Sequence, residues 1–63
     1  MKFQCVIVDD EAQARRLIET YVAKVPELEL VASCKNALEG QAVMSENKID
    51  ILFLDMINSN NLF

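Results

Sequence analysis

From Phe3 to Val8 the chain is apolar at every position but Gln4. A continuous apolar run, as opposed to an alternating one, predicts a strand covered on both faces, as in a parallel sheet. Ala14, Leu17, Ile18, Tyr21, Val22 and Val25 then recur at helical spacing, which predicts a helix with one apolar stripe and places Tyr21 in the core. Gln13, Arg15, Arg16, Glu19, Thr20 and Lys24 fill the other side, so Arg15 and Arg16 read as a solvated helix face. Asp10 is placed to cap this helix, and Glu11 suits the positive end of its dipole. Pro26 ends it by disfavouring helical geometry at Val25.

A second strand is predicted over Leu28 to Cys34. Asn36 and Glu39 stand as an N-cap and its capping-box partner. They open a helix from about Ala37 to Glu46, with Leu38, Ala42, Val43 and Met44 as its contact residues. Gly40 weakens that helix modestly. Asn47 and Lys48 turn the chain into a third strand, Ile49 to Leu54, where Asp50 faces solvent or caps the turn. The order β-α-β-α-β favours right-handed crossovers and a parallel sheet.

The first and third strands of this pattern each end in acid. Asp9, Asp10 and Glu11 follow the first apolar run, and Asp55 follows the third. In an open parallel sheet the strand C-termini share one edge, where ligands bind at the topological switch point. With the first and third strands as neighbours, Asp9, Asp10 and Asp55 converge there. Carboxylate oxygens in a chain with no histidine suit a hard cation, Mg2+ above all, and phosphoryl chemistry. Crowded carboxylates repel one another unless a cation intervenes, and an aspartate beside that cation can act as a nucleophile.

Composition narrows the function further. The chain has 63 residues, enough for one small domain, with 52% hydrophobic and 25% charged residues. Its net charge of −4 argues against nonspecific nucleic-acid binding, which needs a basic face. The first apolar run is too short for a signal-peptide core, and no run reaches the length of a membrane span, so a cytoplasmic location without membrane contact is expected. Cys5 and Cys34 lack CxxC spacing and are expected as reduced thiols, Cys5 a small buried hydrophobe.

Val8-Asp9-Asp10-Glu11 after the first strand and Phe53-Leu54-Asp55 at the end of the third resemble the receiver domain of two-component response regulators. The stretches Val25-Pro26-Glu27-Leu28-Glu29-Leu30-Val31 and Cys34-Lys35-Asn36-Ala37-Leu38-Glu39 look most like receivers joined to a LytTR-type DNA-binding output domain. The resemblance covers Lys2 to Asp55. It implies a flavodoxin-like fold with parallel sheet order 2-1-3 at its start. It implies that Asp55 accepts a phosphoryl group from a partner histidine kinase, as a phosphoacceptor and not an enzyme that turns over substrate. By the same resemblance Asp10 binds Mg2+ directly, Asp9 helps to hold it, Asp55 contributes, and the backbone carbonyl of Ile57 completes the protein ligands. DNA contact is implied only through an output domain that these residues do not contain.

The resemblance stops after Asp55. Receivers of this type continue with an apolar or amide residue and then Met-Pro-Gly, whereas Met56 to Phe63 offers neither Pro nor Gly. The family's fourth and fifth strands, with the switch Ser/Thr, the phosphate-pairing Lys and the switch aromatic, have no counterpart. The expectation is therefore the N-terminal half of a receiver over 1–55, a non-family tail over 56–63, and little switching on phosphorylation. An exposed third strand carrying Ile51, Leu52, Phe53 and Leu54 is expected to pair with another chain, giving a homo-oligomer such as a dimer. A non-catalytic half-domain that acts only through self-association or capture of an intact receiver is the competing reading. An aspartate-nucleophile phosphatase is weaker, because Ile57 stands where such enzymes place a second Asp, and no Gly-rich turn supports a nucleotide-binding domain.

Overall fold

The computed structural model describes residues 1–55, with Asp55 described by its backbone alone; the tail assigned to 56–63 and the Ile57 carbonyl lie outside the described residues. Five elements follow one another: β1 (Phe3–Asp9), α1 (Ala12–Ala23), β2 (Leu28–Cys34), α2 (Ala37–Glu46) and β3 (Ile51–Asp55). The sheet is parallel with the order β2-β1-β3, the expected start of a flavodoxin-like fold. Right-handed crossovers to opposite sides of β1 place α1 and α2 on opposite faces of the sheet. This explains why β1 is buried without a break from Cys5 to Asp9.

The two faces of β1 have separate partners. Val6 and Val8 pack with Cys34, Ala32, Val43 and Ile49 on the α2 side. Cys5, Ile7 and Asp9 alternate to the α1 side. Between Cys5 and Val6 the pairing with β2 slips by one residue, so that Leu30 opposes Cys5 but Ala32 opposes Val6. Without that irregularity Ala32 and Cys34 would share a face with Leu28 and Leu30. The slip turns them toward α2 instead.

Gly40 is the closest approach of helix to sheet. A Cβ built on it would stand 2.6 Å from Cγ2 of Val8. By sequence this glycine is a weak point in a helix, but its missing side chain is what lets α2 settle on β1. The expected contact residues shift accordingly. Gly40 is buried and Val43 half-buried, whereas Leu38, Ala42 and Met44 are exposed.

Other boundaries and caps also differ in detail. Asn36 caps α2 as expected, with its Oδ1 accepting from the Glu39 N–H at 2.8 Å. Glu39 reaches back one residue further than a capping box requires, its Oε1 accepting from the Lys35 N–H at 3.2 Å. The third strand begins at Ile51, later than expected, because Asp50 is engaged with Gln4 at two points. Its N–H donates to the Gln4 carbonyl at 2.8 Å and its Oδ2 accepts from the Gln4 N–H at 2.9 Å. The apolar stripe of α1 is buried only at Val22, and Tyr21, expected in the core, is 59% exposed. Among the described residues the helix packs on β1 and β2 but not on β3.

Candidate functional site

The C-terminal edge of the sheet is where the chemistry gathers. Asp9 and Asp55 are register partners at the ends of β1 and β3, with backbones ~4.8 Å apart as neighbouring strands are. Asp10 follows on the exposed bend between β1 and α1. The sequence-derived trio is thus brought to one edge by the backbone, with Asp9 inside the fold and Asp10 outside it.

Asp9 is the unusual member. It is only 3% exposed, and among the described residues it is the one charged residue that is buried. Its Oδ1 accepts from the Glu11 N–H at 2.9 Å. Its Oδ2 is buried and has no hydrogen-bond partner among the described residues. A buried, unpaired carboxylate oxygen costs roughly 1–3 kcal/mol or more, because it gives up water and receives nothing. Such an atom can accept from a donor or coordinate a cation.

The turn into α1 is organised by Asp9 and not by Asp10. Glu11 occupies the N-cap position with extended backbone and makes no side-chain cap bond, while the Asp9 carboxylate takes the Glu11 N–H. The expected capping role of Asp10 is therefore corrected, and its carboxylate is left for solvent or a ligand. Arg15 corrects the sequence reading as well. It is half-buried, and its Nη1 donates to the Asp9 backbone carbonyl at 2.7 Å. Arg16 remains exposed, as the solvated-face reading requires.

The donor set fits Mg2+, which takes one or two carboxylates and keeps several waters. Asp9 offers a free buried oxygen and Asp10 an exposed carboxylate close by in sequence. Among the described side chains no group of three His, Cys, Asp or Glu residues stands close enough to hold a metal, and the Asp55 side chain is not among them. Cys34 ends β2 beside this edge. Burial first, and Glu39 second, push its thiol above the usual 9.0, and Arg15 offsets part of that rise, so it stays protonated and a poor nucleophile near neutrality. Both cysteines are buried and free.

Known proteins share similarity with most of this chain. Over 51 residues the chain is 37% identical to the transcriptional regulatory protein BtsR of Escherichia coli, a match covering 81% of this chain and 21% of that protein. Over 52 residues it is 33% identical to an uncharacterized response regulatory protein of Shewanella oneidensis, covering 82% of this chain and 22% of the relative. The chain is similar to response regulators. A protein-glutamate methylesterase/protein-glutamine glutaminase of Nitratidesulfovibrio vulgaris is 35% identical over 51 residues, which is 14% of its length. The chain thus spans about a fifth or less of the curated relatives it matches. No family model and no solved structure matches it. Among the described residues no helix is long and apolar enough to cross a membrane.

Proposed function

We propose that this chain is receiver-domain sequence whose Asp55 accepts a phosphoryl group from a histidine kinase, with Mg2+ held by Asp9, Asp10, Asp55 and the Ile57 carbonyl. The observation that carries this reading is the buried Asp9 Oδ2, unpartnered at the sheet edge where Asp55 lies in register. The similarity to response regulators supports it. In the transfer, a carboxylate oxygen of Asp55 forms the new O–P bond as the N–P bond to the kinase imidazole breaks, and the imidazole keeps that electron pair. Mg2+, when bound, would supply positive charge that offsets that of the carboxylates and the phosphoryl oxygens. Asp9 and Asp10 hold and orient, and neither is consumed. In the longer protein such a receiver serves, the acyl phosphate biases a conformational equilibrium that a DNA-binding output domain, of LytTR type by resemblance, reads as a change in association.

The test is the intact mass of the purified chain after incubation with acetyl phosphate and Mg2+, with Asp55→Asn as blank. The expected result is a gain of one phosphoryl group that vanishes in the variant and on chelation. A folded chain that gains nothing would overturn phosphoacceptor competence in this segment.

A second reading, self-association through β3, is favoured by a separate observation. Leu52 and Leu54, the register partners of Val6 and Val8 on the α2 side, are 41% and 57% exposed. Among the described residues no strand pairs with the outer edge of β3. The strand is apolar from Ile51 to Leu54 and lacks the lysines and prolines that normally discourage pairing. Sedimentation is expected to show a concentration-dependent oligomer that Leu54→Lys shifts toward monomer. A monodisperse wild-type monomer at all concentrations would sink this reading.

A further inference from the structure

We infer that Arg15 is the positioning residue for Asp9, fixing the last peptide of β1 and with it the carboxylate that would hold the cation; the inference rests on the metal-binding reading above. The guanidinium comes from the first turn of α1 and reaches back six residues to the Asp9 carbonyl, at 2.7 Å. A charged donor makes this a stronger bond than a neutral pair would make. It closes a small frame with two other bonds. Glu11 donates its N–H to Asp9 Oδ1 at 2.9 Å, and the Arg15 N–H donates to the Glu11 carbonyl at 3.1 Å.

Within that frame every polar atom of Asp9 on the turn side is engaged except Oδ2. Arg15 bonds the carbonyl and leaves the orphaned carboxylate oxygen alone, although a guanidinium so close could have formed an ion pair with it. Spending the arginine on the backbone keeps Oδ2 open and holds the peptide that sets its direction. Groups that orient ligands in this way typically contribute 10–100-fold to metal affinity without touching the ion.

The discriminating experiment compares wild type with Arg15→Met, Arg15→Lys and Arg15→Gln by two readouts. One is amide hydrogen exchange of Glu11 in cation-free protein, with the Val22 amide as internal reference. The other is Mn2+ affinity by calorimetry. Arg15→Met is expected to speed Glu11 exchange about 10-fold with Val22 unchanged, and to weaken Mn2+ binding about 10-fold. Arg15→Lys, which keeps a charged donor, is expected to restore much of both. Unchanged Glu11 exchange in Arg15→Met overturns the inference whatever the cation does. Tighter Mn2+ binding also overturns it, since Arg15 would then act as a repelling counter-charge. A wild type that binds no Mn2+, with Glu11 exchange still accelerated in Arg15→Met, sinks the metal reading and upholds the hold of Arg15 on Asp9. If the Met variant does not fold, Arg15→Gln, too short to reach the carbonyl, gives the same two readouts.

Discussion

Gly40→Val is expected to abolish cooperative unfolding of this domain. The branched side chain would start from a Cβ that already stands 2.6 Å from Val8 Cγ2, well inside van der Waals contact. Val8 cannot step aside cheaply, because it is 2% exposed and β-branched, with one favoured rotamer in its packed strand. Overpacking of a tight core costs typically about 1–3 kcal/mol. A domain of this size rarely has more than ~3–5 kcal/mol in reserve. Gly40→Ala is the graded version. It gains about 1 kcal/mol of helix propensity but meets the same Val8 methyl, so a net loss of roughly 1 kcal/mol is expected. Urea titration followed by far-UV circular dichroism measures both. A higher midpoint for Gly40→Ala would show that α2 can lift from β1 freely, contrary to the packing described.

The second large effect concerns Asp9, and its sign depends on the cation. Without divalent metal, Asp9→Asn is expected to raise stability by about 1 kcal/mol. The amide keeps an oxygen for the Glu11 N–H and removes a buried charge whose Oδ2 has no partner. With Mg2+ in excess the order reverses. Wild type is expected to gain by mass action, about 2.7 kcal/mol when the free cation is 100-fold above its dissociation constant, while the variant gains nothing. Thermal melts with and without Mg2+ give all four values. If Mg2+ leaves the wild-type midpoint where it was, the acidic edge does not bind the ion and the phosphoacceptor reading loses its electrostatic basis.

Much of this architecture was legible from periodicity. The unbroken run at Cys5 to Val8 predicted burial on both faces, and β1 lies between two strands and two helices. Asn36 was readable as an N-cap because an amide acceptor before a helical pattern has one obvious donor to satisfy. Residues whose role depends on what lies opposite were not readable. Gly40 looks like a helix defect until Val8 is placed against it. Tyr21 looks like core until α1 is set on β1 and β2 and the ring is left 59% exposed. Arg15 looks solvated because charge opposite an apolar stripe usually is, and only the path of its side chain to the Asp9 carbonyl shows otherwise.

The acidic edge divides the same way. Strand-terminal carboxylates in a β-α-β-α-β order are a property of the sequence, since parallel crossovers bring strand C-termini to one side whatever the side chains do. Which carboxylate is buried, and which of its oxygens is left without a partner, is not. Asp9 and Asp10 are adjacent and chemically identical, yet one is enclosed at the end of β1 and the other lies exposed on the bend. That difference arises from the pleat, the turn into α1 and the reach of Arg15, contacts between parts of the chain that local pattern does not encode. Sequence alone determined the order of elements and the place of the acids. Tertiary structure decided which acid is poised, because burial and hydrogen-bond satisfaction exist only once the strands and helices have met.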